Sequence, residues 1–136
     1  MRPILLDTCA LIWLAQGAPM AAPAEAALLE LQAADGALMV SPITAWEVGM
    51  LVAKGRLALT MSPQDWFRAA LDAGIELAEL TPEILIGSSS LPGPPLRDPA
   101  DRIIAATARR FGYRLMTRDR PLLAFAESGQ VAAIPC

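Results

Sequence analysis

The stretch Arg97–Ala108, R-D-P-A-D-R-I-I-A-A-T-A, and the pentapeptide Leu115–Asp119, L-M-T-R-D, bring three carboxylates to two helix starts. Asp98 before Pro99 reads as an N-cap with proline at the first helical position. Asp101 then falls at N3, where a carboxylate can face back toward free backbone N–H groups. Capping and the helix dipole are enough to account for acids in a first turn, so a structural role stands beside a functional one for both residues. For Asp101 the position argues for function. Ala105 and Ala108 lie four and seven residues on, so Asp101 shares a helical face with small apolar residues, whereas a solvated acid belongs on the opposite face. Tyr113–Thr117 is too short for a helix and is bounded by Gly112, so it reads as a strand that delivers Asp119 at its end.

Outward from this stretch the chain alternates strands and helices. Arg2–Leu6 is a first strand, delivering Asp7 and Thr8 before a helix over Cys9–Ala15. An acid at a strand end can cap the next helix, and it can also line a site, because ligands of open parallel sheets bind at such ends. Pro19–Pro23 reads as a turn, Ala24–Ala34 as an amphipathic helix with Glu25 and Glu30 outward, and Asp35-Gly36 as its stop. A second strand is expected at Ala37–Val40, followed by a helix from the Ser41-Pro42 cap to about Lys54. Glu47 interrupts the apolar stripe of that helix, four residues after Ile43 and just before Met50 and Leu51, which is costly unless the carboxylate is paired or binds a cation. Further helices are expected from Ser62-Pro63 and from Thr81-Pro82 to about Ser90, with a strand at Ile75–Leu80 between them. Leu91-Pro92-Gly93-Pro94-Pro95 can only be a loop. A helix over Pro121–Glu127 and a strand at Val131–Ile134 complete an α/β sandwich around a mainly parallel sheet. In that arrangement one sheet edge collects Asp7, Glu47, Asp101 and Asp119.

Composition narrows the chemistry. At 136 residues the chain fits one domain, residues 1–136. It is 54% hydrophobic, yet no run approaches the roughly 18 uninterrupted apolar residues of a membrane span. The expectation is a cytoplasmic protein without a signal peptide or membrane segment, and the apolar surplus points to surface covered by another chain. Trp13, Trp46 and Trp66 are read as core or interface residues. Two cysteines, Cys9 in an apolar helical pattern and Cys136, show no metal or disulfide spacing, and the absence of histidine excludes histidine-dependent nucleases, Ser-His-Asp triads and histidine zinc sites. The net charge of −3 argues against nucleic-acid binding by bulk positive charge. Its distribution tells more. Seven arginines between Arg97 and Arg120 face only Asp98, Asp101 and Asp119, a cationic segment around an acidic cluster. That pattern suits a phosphate backbone held over metal ions, and equally a solvated arginine face.

Four converging carboxylates repel one another at low dielectric and need hard cations when ionised. Oxygen ligands without histidine or thiolate select Mg²⁺ or Mn²⁺ over zinc. Such ions activate water and stabilise the leaving oxygen of an in-line phosphoryl displacement, so phosphodiester hydrolysis is the natural reaction.

The residues resemble PIN-domain ribonucleases, specifically VapC-type toxins of toxin–antitoxin pairs. The resemblance covers essentially the whole chain and rests on L-L-D-T at Asp7, S-P-I-T-A-W-E at Glu47, K-G-R-L at Lys54, L-P at Leu91, R-D-P-A-D-R at Asp98–Arg102 and T-R-D at Asp119. It implies a three-layer α/β/α sandwich with a five-stranded parallel sheet, and a Mg²⁺- or Mn²⁺-dependent endoribonuclease that hydrolyses RNA with a metal-activated water. A homodimer is implied too, as is a cognate antitoxin whose C-terminal segment occupies the active-site groove. Asp7, Glu47, Asp101 and Asp119 match the family's acidic quartet, Thr117 its hydroxyl residue before the last aspartate, and Asp98 an auxiliary acid. Leu96 departs from the pattern, since many relatives carry histidine before R-D-P. Thr8 and Thr117 are candidates for orienting carboxylates or water, and Arg102 and Arg118 for contacting RNA phosphate. Two rival readings remain at this level. A PIN-like module that only binds RNA or protein would carry the same fold. A Mg²⁺-binding receiver-like signalling domain would also cluster acids, but it needs a lysine at the site, and the only lysine, Lys54, lies late in a helix.

Overall fold

The computed structural model describes residues 1–136. In chain order the elements are β1 (Ile4–Leu6), α1 (Thr8–Ala15), α2 (Ala22–Ala33), β2 (Leu38–Val40), α3 (Pro42–Ala53) and α4 (Pro63–Asp72), followed by β3 (Glu76–Leu77), α5 (Pro82–Gly87), α6 (Pro99–Phe111), β4 (Arg114–Thr117), α7 (Arg120–Glu127) and β5 (Ala132–Pro135). All five strands pair in parallel, in the order β3-β2-β1-β4-β5. From β1 the chain moves out through β2 to β3, then returns to β1's other side for β4 and β5. The order therefore reverses between β1 and β4, and in open α/β sheets the ligand crevice lies at the carboxyl ends of the strands flanking such a reversal. Leu6 pairs with Met116 across that junction, so Asp7 and Thr117 follow side by side.

Side-chain alternation along β1 divides the core. Ile4 and Leu6 pack on one face with Ala10 and Leu11 of α1 and with Ala24 and Leu31 of α2, and Trp66 and Phe67 of α4 lie against them. Leu5 points to the other face, against Ile104, Ala105 and Ala108 of α6, Leu115 of β4 and Leu122 and Phe125 of α7. A strand buried on both faces must be apolar throughout, which is why Ile-Leu-Leu does not alternate with polar residues. Ser41, Ser62, Thr81, Asp98 and Asp119 each cap a helix whose first turn carries proline. Gly112 ends α6 at φ +69°, the left-handed conformation glycine adopts without a Cβ penalty, and turns the chain into β4.

Several expected boundaries shift. The strand expected over Ile75–Leu80 contracts to Glu76–Leu77, both exposed, at the outer edge of the sheet. The Ala78 N–H still donates to Val40 O at 2.8 Å. The helix expected to reach Ser90 ends at Gly87, where the Ser88 hydroxyl donates back to Leu85 O at 2.6 Å. Helix α2 begins at Ala22 rather than Ala24, because Pro23 occupies its first turn instead of closing the preceding one. Trp46, expected in the core or at an interface, is 53% exposed on α3 and so lies outside the core, and Cys9 is an exposed residue of α1. No helix is long and apolar enough to cross a membrane.

Leu5 is fully buried between the sheet and α6, so Leu5→Ala should lower unfolding free energy by about 2–5 kcal/mol, measured by denaturant titration.

Candidate active site

Three backbone junctions hold the acids. Asp7 ends β1 and caps α1, its Oδ1 accepting from the Ala10 N–H at 2.7 Å. Asp119 follows β4 and caps α7, its Oδ2 accepting from the Leu122 N–H at 3.1 Å. Asp98 caps α6 through the Ala100 N–H at 3.0 Å. Capping and site-building are thus compatible, since a carboxylate has two oxygens and a cap engages one of them. The α6 cap is made by Asp98, so Asp101, one turn in, is not needed for it.

Hydroxyls engage the remaining contacts. Asp7 is only 4% exposed, and its Oδ2 accepts from the Thr117 hydroxyl at 2.5 Å. The same Thr117 oxygen accepts from the Asp119 N–H at 3.0 Å, linking two acids through one buried side chain. On the other flank the Thr8 hydroxyl donates to Glu47 Oε1. Thr44 was not singled out from sequence, yet it is fully buried with its hydroxyl 3.0 Å from that of Thr8. Its one legible signal is its place one helical turn before Glu47.

The acids feel one another. Burial, and then the charges of Asp98, Asp119, Glu47 and Asp7, push the Asp101 carboxyl up to about 8. Burial raises Asp7 as well, opposed by its bonds from Thr117 and Ala10, with Asp119 raising it further and Arg118 lowering it. Glu47 is raised by burial, against the Thr8 bond, and by Asp98 and Asp7. Cys9 is exposed as a residue but crowded at sulfur. Its thiol is pushed up to about 11 by local burial and then by Asp7, Glu47, Asp101 and Asp119 together. Glu47 meets Thr8 next to Asp7, and Asp101 and Asp119 line one cleft. No three acidic or thiol side chains lie at a spacing that could hold a metal ion.

The arginines divide. Arg118 stacks on Trp13, its guanidinium carbon 3.4 Å from the ring centroid, and donates to Cys136 O at 3.0 Å. These contacts hold it as a stationary cation near Asp7. Arg102 lies half-buried beside Asp101 on α6. A cleft of about 290 Å³ is lined by Pro95, Leu96, Arg97, Asp98, Asp101, Asp119 and Pro121. Leu96 at its wall is buried in the core with Leu5 and Ile104, so this position anchors the loop by packing. A larger cavity of about 490 Å³ is wholly apolar, between α1 and α4, and carries no chemical groups.

A buried acid after β1, a reversal of strand order between β1 and β4 and hydroxyl contacts to Asp7 and Glu47 mark this edge of the parallel sheet as the candidate site. The PIN domain family model matches residues 4–127, and the chain belongs to that family. It is 32% identical over 124 residues to ribonuclease VapC22 of Mycobacterium tuberculosis, covering 90% of this chain and 91% of the relative. Among solved structures it resembles VapBC2 from Rickettsia felis bound to a promoter DNA fragment, with a TM-score of 0.67 at 16% identity and 98% of each chain covered. DNA-bound VapBC from Salmonella typhimurium gives 0.60 at 17% identity, covering 99% of this chain and 98% of that one.

In ion-free buffer Asp101 carries a cost of burial and like-charge crowding. Asp101→Asn should therefore leave the melting temperature unchanged or raise it, by about 2–4 °C per kcal/mol relieved, as read by calorimetry in EDTA.

Proposed function

We propose that this protein is a divalent-metal-dependent endoribonuclease, the toxin of a toxin–antitoxin pair, built as a single PIN domain over residues 1–136. The observation that carries this reading is the placement of Asp7 and Asp119 after β1 and β4, bridged by the Thr117 hydroxyl, with Glu47 held by Thr8 beside Asp7 and with Asp101 lining the same cleft as Asp119. Membership of the PIN family and the likeness to a VapC ribonuclease support it.

The donor set fits the ion. Every group on the cluster is a carboxylate or hydroxyl oxygen, apart from the protonated Cys9 thiol, and such hard oxygens favour Mg²⁺ or Mn²⁺. Asp7, Asp101 and Asp119, with Glu47 directly or through water, would hold it, and Asp98 would assist. Once bound, a divalent ion supplies a more acidic water and charge stabilisation for the phosphoryl oxygens. The chain's own groups do the rest. Asp7 is oriented by Thr117 and Ala10, Glu47 by Thr8, and Asp119 by the N–H contacts of its cap. Arg102, next in sequence to the cleft residue Asp101, would contact the RNA phosphate, and Arg118 would add positive potential near Asp7 while held against Trp13.

A cognate antitoxin covers this cleft, a reading supported by the VapBC complexes among the structural neighbours. A second copy of the chain covers part of the exposed apolar surface that includes Trp46, Leu77, Leu85 and Ile86. The pair works in the cytoplasm, where free Cys9 and Cys136 stay reduced.

The test is RNA cleavage by antitoxin-free protein with Mg²⁺ or Mn²⁺, with EDTA and Asp7→Asn as controls. Asparagine still caps a helix, so the variant should fold while cleavage falls by at least the roughly 100-fold that a lost outer contact can cost at a metal site. Undiminished cleavage by folded Asp7→Asn, or cleavage in EDTA, would contradict the assignment.

A further inference from the structure

The hydroxyl of Thr44 has an unusual destination. Thr107, deep in α6, donates to the carbonyl one turn back, Ile103 O, at 2.8 Å; Thr44 is the third residue of α3, and the residue one turn before it, Val40, lies in β2 with its carbonyl accepting from the Ala78 N–H. Thr44 is just as buried, yet its hydroxyl crosses to α1 and meets Thr8 Oγ1 at 3.0 Å, a partner 36 residues away in sequence. Valine would fill this space equally well, so packing does not explain the oxygen.

Proton counting gives the bond a direction. A hydroxyl has one proton to donate. Thr8 directs its own to Glu47 Oε1, so between Thr44 and Thr8 it is Thr44 that donates. Thr44 and Glu47 lie one turn apart on α3, and Thr8 directly follows Asp7 at the start of α1. The chain Thr44 to Thr8 to Glu47 therefore closes a loop between the two elements that carry Asp7 and Glu47.

We infer that Thr44 is a positioning residue of the site: by donating to Thr8 it turns the Thr8 proton onto Glu47 and so holds that carboxylate toward the acid cluster. Without the Thr44 proton, Thr8 can rotate and donate elsewhere, and Glu47 loses its fixed donor. The relay deepens the proposed ribonuclease reading and rests on it only for its effect on turnover.

The experiment compares Thr44→Val and Thr44→Ser in the wild-type and Glu47→Gln backgrounds. It reads the ¹³C resonance of the Glu47 carboxyl in ion-free protein, Mn²⁺ affinity, and kcat and KM on RNA. Thr44→Val should move the Glu47 resonance, weaken Mn²⁺ binding about tenfold and lower kcat about tenfold with KM nearly unchanged, within the range known for groups supporting metal ligands. Thr44→Ser should restore all three. On the Glu47→Gln background Thr44→Val should weaken Mn²⁺ binding no further. An unmoved Glu47 resonance with wild-type Mn²⁺ affinity would overturn the relay and leave Thr44 a packing residue, even if the melting temperature fell. Should Thr44→Val fail to fold, Thr44→Ala is read in the same way. If the wild-type protein cleaves no RNA, the proposed function falls, while the ion-free Glu47 resonance still decides the relay.

Discussion

The structure depends on holding carboxylates of like charge, Asp7 buried and Glu47, Asp101 and Asp119 half-buried, at one edge of a parallel sheet. Isolated buried carboxylates are strongly disfavoured, and here the cost is offset locally. Asp7 shows the device most fully, with an N–H from its own helix on one oxygen and the Thr117 hydroxyl on the other. Each contact favours the charged form against burial. Asp101 has no cap to make, and it is the acid pushed furthest, to about 8. The cluster is thus held as a set of acids short of positive charge, the condition under which a hard cation gains most from binding.

The fold supplies this arrangement through strand order. With β1 central and β4 beside it, Asp7 and Thr117 emerge next to each other, and one hydroxyl bonds both Asp7 and the Asp119 backbone. Helix α3 enters from the other side of β1, bringing Thr44 and Glu47 to Thr8. Helix α6 arrives from a proline-rich loop pinned by buried Leu96. Four remote stretches meet because three parallel crossovers return to the same sheet edge. A site assembled at strand and helix ends sits on rigid elements.

Much of this was legible in the amino-acid sequence. Proline after Ser41, Ser62, Thr81 and Asp98 marks four helix starts that the structure reproduces, because the cap and the proline ring act locally. Asp101 and Glu47 stood out as acids on apolar faces, and both are partly buried within the cluster. Other features depend on tertiary neighbours. Only Glu76–Leu77 of the expected strand pair, with β2 alone, and no local pattern records which strand lies outermost. Trp46 reads as a core or interface residue, and its helical phase turns it outward, away from the core. Thr44 could not be told from any helical threonine until Thr8 was seen across from it. Arg118 read as a candidate phosphate contact, and its engagement by Trp13 and the Cys136 carbonyl has no signal in the local sequence.

Crystallographic anomalous scattering from protein grown with Mn²⁺ tests the central claim most directly, because it locates the ion without reference to activity. An Mn²⁺ peak is expected at the carboxyl edge of β1 and β4, with oxygens of Asp7, Asp101 and Asp119 drawn to it. A peak elsewhere, or a well-ordered cluster that leaves Mn²⁺ unbound at saturating concentration, would contradict that claim.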